Sequence, residues 1–132
     1  MTAATTSRRA SLIRLRRRVF APLHDLRVAL WAAREVRRLR GALAREGIRS
    51  SVRRPPRRMS RNSGRAVLLA ARLTRASCLE RSLLRQAWLQ TRGKDRDVVI
   101  GVRAAEAFEA HAWIDGDPDA VGYAEIHRIR SK

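Results

Sequence analysis

A capping box defines the start of a helix at the only cysteine of this chain. Ser77 and Glu80 are three residues apart and flank Cys78. In such a pattern the serine hydroxyl and the glutamate carboxylate accept hydrogen bonds from the unpaired N–H groups of the first turn. Cys78 then takes the first helical position, where free N–H groups and the positive end of the helix dipole favour a thiolate. The sequence therefore predicts a nucleophilic thiol at the start of a helix.

A histidine follows 33 residues later, in the apolar segment Phe-Glu-Ala-His-Ala-Trp-Ile at 108–114. This segment is predicted to be a strand, with His111 in its middle. A cysteine that opens a helix and a histidine on a later strand can form a thiol nucleophile and its general base. With three histidines, one cysteine and no C-x-x-C or H-E-x-x-H pattern, we expect neither a metal site nor a cofactor.

The net charge of +18 is concentrated in the first half of the chain. Residues 1–65 contain 19 Lys and Arg against 3 Asp and Glu, whereas residues 66–132 contain 11 against 9. The arginines of the basic half either form a docking surface for an acidic partner or are the solvated face of a helix packed on the domain. The other half has the charge balance of an ordinary soluble domain. An arginine-rich nucleic-acid-binding protein is one alternative. However, zinc-finger, RNA-recognition and KH signatures are missing, and one Tyr and two Phe offer few rings for base stacking.

The cysteine content and the hydropathy of the chain give an expectation for the cellular compartment of the protein. One cysteine excludes an internal disulfide and fits a reducing, cytoplasmic setting. No uncharged apolar run approaches the roughly 18 residues that a membrane span requires. The arginine-rich and acid-free residues 1–20 leave an organelle transit peptide as a minor alternative.

Helical periodicity precedes strand patterns along the chain, which predicts an α+β domain. Pro22 either interrupts an early helix or starts the next one, and Gly47 ends the long helix that follows. Asp115-Gly116 is a hairpin signal. We divide the chain into a basic helical arm with a Pro/Arg-rich linker, 1–64, and a second domain, 65–132. The predicted elements are helices at 22–46, 65–76 and 78–92, strands at 97–102 and 108–114, and a third strand or closing helix at 123–129.

Three sequence blocks carry a family resemblance. C-L-x-R-S-L at 78–83, V-V-I-G-V-R at 98–103 and F-x-A-H-A-W-I at 108–114 resemble, in this order and spacing, the lasso-peptide leader peptidases. These are small bacterial cysteine proteases of the transglutaminase-like superfamily. The resemblance covers residues 66–130 and implies a papain-like minimal core, with helices followed by a small antiparallel sheet and preceded here by the helical arm.

The resemblance assigns catalytic roles to Cys78 as nucleophile and His111 as base, with an aspartate as the third member. In the family, a longer hairpin usually separates the histidine strand from the acid. This chain departs from that pattern, because its aspartates follow the histidine strand directly. Matching G-D-P points to Asp117, and a three-residue hairpin loop would instead place Asp119 on the histidine's face of the sheet. We rank these two equally and Asp115 third.

The implied activity is removal of the leader from a ribosomally made precursor peptide before macrolactam closure. The implied partners are the precursor, a separate leader-recognition protein and a cyclase. Besides nucleic-acid binding, the alternatives are a catalytically inactive partner-binding relative and a transglutaminase or acyltransferase that uses the same residues.

Overall fold

In the part of the chain that the structure describes, three α-helices precede a small sheet. The computed structural model describes residues 4–56, 63–104 and 106–132, with the backbone alone at 4–22 and 119. The order of the elements confirms the predicted α+β class. The elements are helices α1 (Ala4–Glu46), α2 (Ser63–Leu73) and α3 (Cys78–Gln90) and strands β1 (Val98–Ala104), β2 (Phe108–Ile114) and β3 (Ala124–Ile129).

Helix α1 passes Pro22 without a break, so the prediction that Pro22 interrupts a helix or starts a new one is wrong. An internal proline removes one helical hydrogen bond and costs about 3 kcal/mol, and the neighbouring alanines, leucines and arginines are strong helix formers. Gly47 ends the helix as predicted, with a φ of 63° that glycine adopts without strain. Although α1 has 43 residues, no helix in the described ranges is both long and apolar enough to cross a membrane.

The hydrophobic core lies between the second half of α1, the other two helices and one face of the sheet. Each of these elements contributes side chains that are almost fully removed from solvent. Residues on both sides of position 64 share this core, and the division of the chain at that position stays a prediction. The main core residues are Val28, Val36, Leu39, Val67, Ala71, Leu83, Leu84, Val98, Ala112 and Ile114.

The sheet is antiparallel, with β1 in the middle and β2 and β3 at its edges. The final segment is therefore a strand rather than a closing helix. Asp115-Gly116 forms the predicted turn, with a φ of 88° at Gly116, but the turn does not join two paired strands. After it the chain runs through the one-turn 3-10 helix Pro118–Ala120 and crosses to the far edge of β1. The predicted hairpin was wrong because a turn motif does not determine which strand the chain pairs with next.

Candidate active site

The start of α3 has the geometry that the capping box predicts. Ser77 Oγ accepts a hydrogen bond from the Glu80 N–H at 3.2 Å, and Glu80 Oε2 accepts one from the Ser77 N–H at 2.8 Å. Both bonds satisfy backbone donors that the helix itself leaves unpaired. Cys78 is consequently the first residue of the helix, and it is half-buried.

A residue from the first half of the chain holds this capping box in place. Arg40 donates from Nε to Glu80 Oε1 and from Nη2 to Glu80 Oε2, both at 3.2 Å. Its Nη2 also donates to the carbonyl oxygens of Thr74 and Arg75, in the turn before α3. The Glu80 side chain is 4% exposed, so this bidentate ion pair compensates a carboxylate that has lost most of its water. The sequence analysis missed Arg40 because nothing in the sequence separates it from the neighbouring arginines.

Strand β2 places His111 beside the cysteine helix. One turn after Cys78, the buried Ser82 hydroxyl donates to the carbonyl of Ala112 at 3.1 Å, which joins α3 to the residue next to the histidine. His111 lies opposite Gly101 on β1. A Cβ at Gly101 would come within 2.5 Å of the Trp113 ring and 2.8 Å of the Ala124 carbonyl oxygen. The missing side chain at Gly101 therefore lets Trp113 pack over β1, 6.0 Å from the His111 ring.

Three of the predicted site residues meet in one small cavity. Cys78, His111 and Asp117 line a space of about 180 Å³, together with Arg81, Ser82 and Arg85 of α3. Residues far apart in the sequence thus face the same volume. Among the described side chains, no group of three or more His, Cys, Asp or Glu is arranged to hold a metal ion.

The three candidate acids occupy different places. Asp117 lines the cavity, and both of its carboxylate oxygens accept hydrogen bonds from Arg85. Asp115 lies outside the cavity and accepts a hydrogen bond from Arg128 Nη1 at 2.7 Å. The backbone of Asp119 lies in the one-turn helix. The three-residue hairpin loop that placed Asp119 on the histidine's face does not exist, because β3 pairs with β1 and not with β2.

A polar cluster that the sequence did not reveal adjoins His111. The Tyr123 ring lies 5.2 Å from the imidazole, and its hydroxyl donates to Glu109 Oε1 at 2.7 Å. Arg103 donates to the other Glu109 oxygen at 2.5 Å and stacks over the Tyr123 ring, 4.8 Å from its centroid. The bonds from Tyr123 and Arg103 lower the pKa of the Glu109 carboxyl, and the bond to Glu109 raises the pKa of the Tyr123 hydroxyl. Glu109 therefore carries negative charge on the histidine strand, two residues before His111.

This arrangement supports nucleophilic chemistry at a thiol. Cys78 sits at the start of α3, where the N–H groups that the capping box leaves unpaired can donate to a developing oxyanion. The His111 imidazole is a group that can accept and return a proton, and the Asp117 carboxylate lies in the same cavity. These are the components of a cysteine-based acyl-transfer site.

A comparison with known protein families found one matching family model. The model of the transglutaminase-like superfamily matches residues 23–128, which include the second half of α1, the cysteine helix and nearly all of the sheet. The superfamily includes cysteine peptidases and transglutaminases. No curated protein and no solved structure matches the chain. The match covers most of the sequence, and the chain therefore belongs to the transglutaminase-like superfamily.

Proposed function

We propose that this protein is a cysteine peptidase that removes the leader from a lasso-peptide precursor before the macrolactam is closed. The observation that carries the proposal is the shared cavity of Cys78, His111 and Asp117, with the cysteine at the first position of a capped helix. Membership of the superfamily supports a cysteine-based activity. The three sequence blocks at 78–83, 98–103 and 108–114 support the leader-peptidase subtype.

In the proposed reaction, His111 accepts the thiol proton and the Cys78 sulfur attacks the scissile carbonyl carbon. The oxyanion of the tetrahedral intermediate accepts hydrogen bonds from N–H groups in the first turn of α3. When the intermediate collapses, the C–N bond breaks and His111 returns the proton to the leaving amine. The leader is then held as a thioester on Cys78.

Water completes the proposed cycle. His111 accepts a proton from the attacking water, the carbon–sulfur bond breaks, and the leader leaves with a new carboxylate while the thiol is restored. We assign Asp117 the role of orienting the imidazole, because it is the one candidate acid whose described side chain lines the cavity. Asp119 stays the alternative acid.

The family resemblance supplies the proposed biological setting. The precursor peptide is the substrate, a separate leader-recognition protein delivers it, and a cyclase acts on the product in the cytoplasm. Arg81 is exposed at the rim of the cavity and has no partner among the described side chains, so it is available to contact a substrate carboxylate or carbonyl.

The test is cleavage of a full-length precursor in the presence of its leader-recognition protein, followed by mass spectrometry. We expect the leader and the core peptide from the wild-type protein and intact precursor from the variant Cys78→Ala. The substitution replaces the thiol with a small group that suits a helix, and circular dichroism checks that the fold is kept. Full cleavage by Cys78→Ala would exclude the proposed mechanism.

One observation favours a second candidate, a catalytically inactive member that binds a partner. The Asp117 carboxylate is bonded to Arg85 and, among the described side chains, makes no hydrogen bond to His111. An inactive member would leave the precursor intact even with its partner present. It would still bind that partner, which a pull-down with the leader-recognition protein would detect.

A further inference from the structure

A second, larger cavity lies outside the catalytic site. It has a volume of about 420 Å³ and is bounded by the segment 48–52 after α1, by α3 and by residues 127–130 of β3 and its end. No residue of β1 or β2 lines it, so the cavity lies on the outer side of β3, the edge strand of the sheet. It therefore forms a groove between an edge strand and a second stretch of backbone.

The groove has an apolar floor and a cationic rim. Leu83, Ala87 and Val52 form part of the floor, and Arg49 and Arg130 stand exposed at the rim. Neither arginine forms an ion pair with a described side chain. No Asp or Glu is among the described residues that line the groove. This combination is complementary to a ligand that carries both apolar groups and negative charge.

The groove uses a different face of α3 from the catalytic cavity. Cys78, Ser82 and Arg85 line the catalytic cavity, whereas Leu83, Gln86, Ala87 and Gln90 line the groove. At 3.6 residues per turn, the two sets are centred about 120° apart around the helix axis. No described residue lines both spaces, so a ligand in the groove leaves Cys78 accessible.

The shape and chemistry of the groove indicate an extended peptide. An edge strand presents unpaired N–H and C=O groups that an added strand can bond, and alternate side chains of the added strand point to opposite sides. Gln86 already donates to the Ile129 carbonyl at 3.1 Å, so an added strand would bond the other backbone groups of this edge. Apolar side chains at every second position would reach the floor, and acidic side chains between them would face the rim. Nucleic acid fits less well, because the described lining of the groove contains no Phe, Tyr or Trp for base stacking.

We propose that this groove binds an extended peptide segment in which apolar residues alternate with Asp or Glu, at a distance from the scissile bond. The choice of a peptide rests on the proposed peptidase function, since such an enzyme benefits from holding its substrate outside the catalytic cavity. The positive charge of the rim and the apolar floor of the groove are structural observations that do not depend on that function. A binding measurement therefore separates the two, because binding in the groove needs no catalysis.

The test measures fluorescence anisotropy of a labelled octapeptide with four Glu-Val repeats, added to the full-length protein. We expect saturable binding that becomes about tenfold weaker in the double variant Arg49→Glu/Arg130→Glu, which reverses two rim charges. The matched control Arg65→Glu/Arg72→Glu makes the same change in net charge at two exposed positions of α2, away from the groove. It should bind the peptide like the wild-type protein.

Three outcomes would overturn the inference. They are no saturable binding, an equal loss in the rim and control variants, and displacement of the peptide by an oligouridylate at equal charge concentration. The first denies a peptide site, the second shows attraction to the overall positive charge alone, and the third indicates a nucleic-acid surface. If the wild-type protein bound the peptide but cleaved no precursor, the groove would be kept and the peptidase function rejected.

Discussion

At the scale of single residues, the reactivity of Cys78 depends on where α3 begins and on His111 across the cavity. We expect iodoacetamide to label Cys78 in the folded protein faster than it labels free cysteine at neutral pH, because the helix start stabilises the thiolate. His111→Ala should slow labelling and abolish precursor cleavage. Mass spectrometry of the labelled protein over time measures the rate, and labelling no faster than after denaturation would indicate an inert, buried thiol.

A second residue-scale prediction concerns the acid. Asp117→Ala should lower the turnover number about 100-fold or more, because a catalytic imidazole depends on a carboxylate for its orientation. Asp115→Ala is the control, since that carboxylate bonds to Arg128 outside the cavity, and its turnover should stay close to that of the wild type. A large loss in Asp119→Ala with none in Asp117→Ala would transfer the role to Asp119.

The sequence predicted the site unevenly, for a physical reason. The capping box is a local signal over four residues, and it located Cys78 at its position in the helix. The two ion pairs at the site that the sequence missed are both long-range. Arg40 and Glu80 are 40 residues apart in the chain, and Arg85 and Asp117 are 32 apart. No spacing rule selects such pairs in a chain so rich in arginine.

At the scale of elements, the ion pair between Arg40 and Glu80 couples α1 to the cysteine helix. We expect Arg40→Ala to lower the free energy of unfolding by about 1–2 kcal/mol, since it leaves a buried carboxylate without its cation, while the exposed half of Arg40 limits the effect. Urea denaturation measures this. Arg40→Lys should recover part of the loss, whereas Arg37→Ala, at an exposed position of α1, should change the stability little. An equally large loss of unfolding free energy in Arg37→Ala would show that the effect comes from general helix propensity and not from the ion pair.

Elements of secondary structure were predictable where local patterns define them. Strand β2 has the predicted bounds, and the starts of α3 and β1 lie within one residue of prediction. The errors are at Pro22, where helix-forming neighbours outweigh one proline, and at the turn after β2. The choice of β1 as the partner of β3 depends on which apolar faces the helices leave uncovered, and this information is not contained in a turn motif.

At the scale of the molecule, helix packing determines which arginines of α1 are available to a partner. Arg38 donates to Glu35 and to the carbonyl of Ser51, so it stabilises the turn after α1. Arg34 and Arg37 are exposed and have no ion pair among the described residues. A test of partner docking should therefore change these two and leave Arg38 in place.

We expect Arg34→Glu/Arg37→Glu to weaken binding of the leader-recognition protein, and higher salt to slow its association with the wild-type protein. Exposed charges are screened over a Debye length of about 8 Å at physiological ionic strength, and rim charges act mainly on the association rate. Surface plasmon resonance at two salt concentrations measures both effects. Cleavage of a short peptide around the scissile bond and Cys78 labelling should change much less. Two results would contradict a docking role for α1 and leave its arginines as a solvated face. One is that salt affects partner binding and short-peptide cleavage equally, and the other is that Arg65→Glu/Arg72→Glu weakens partner binding as much.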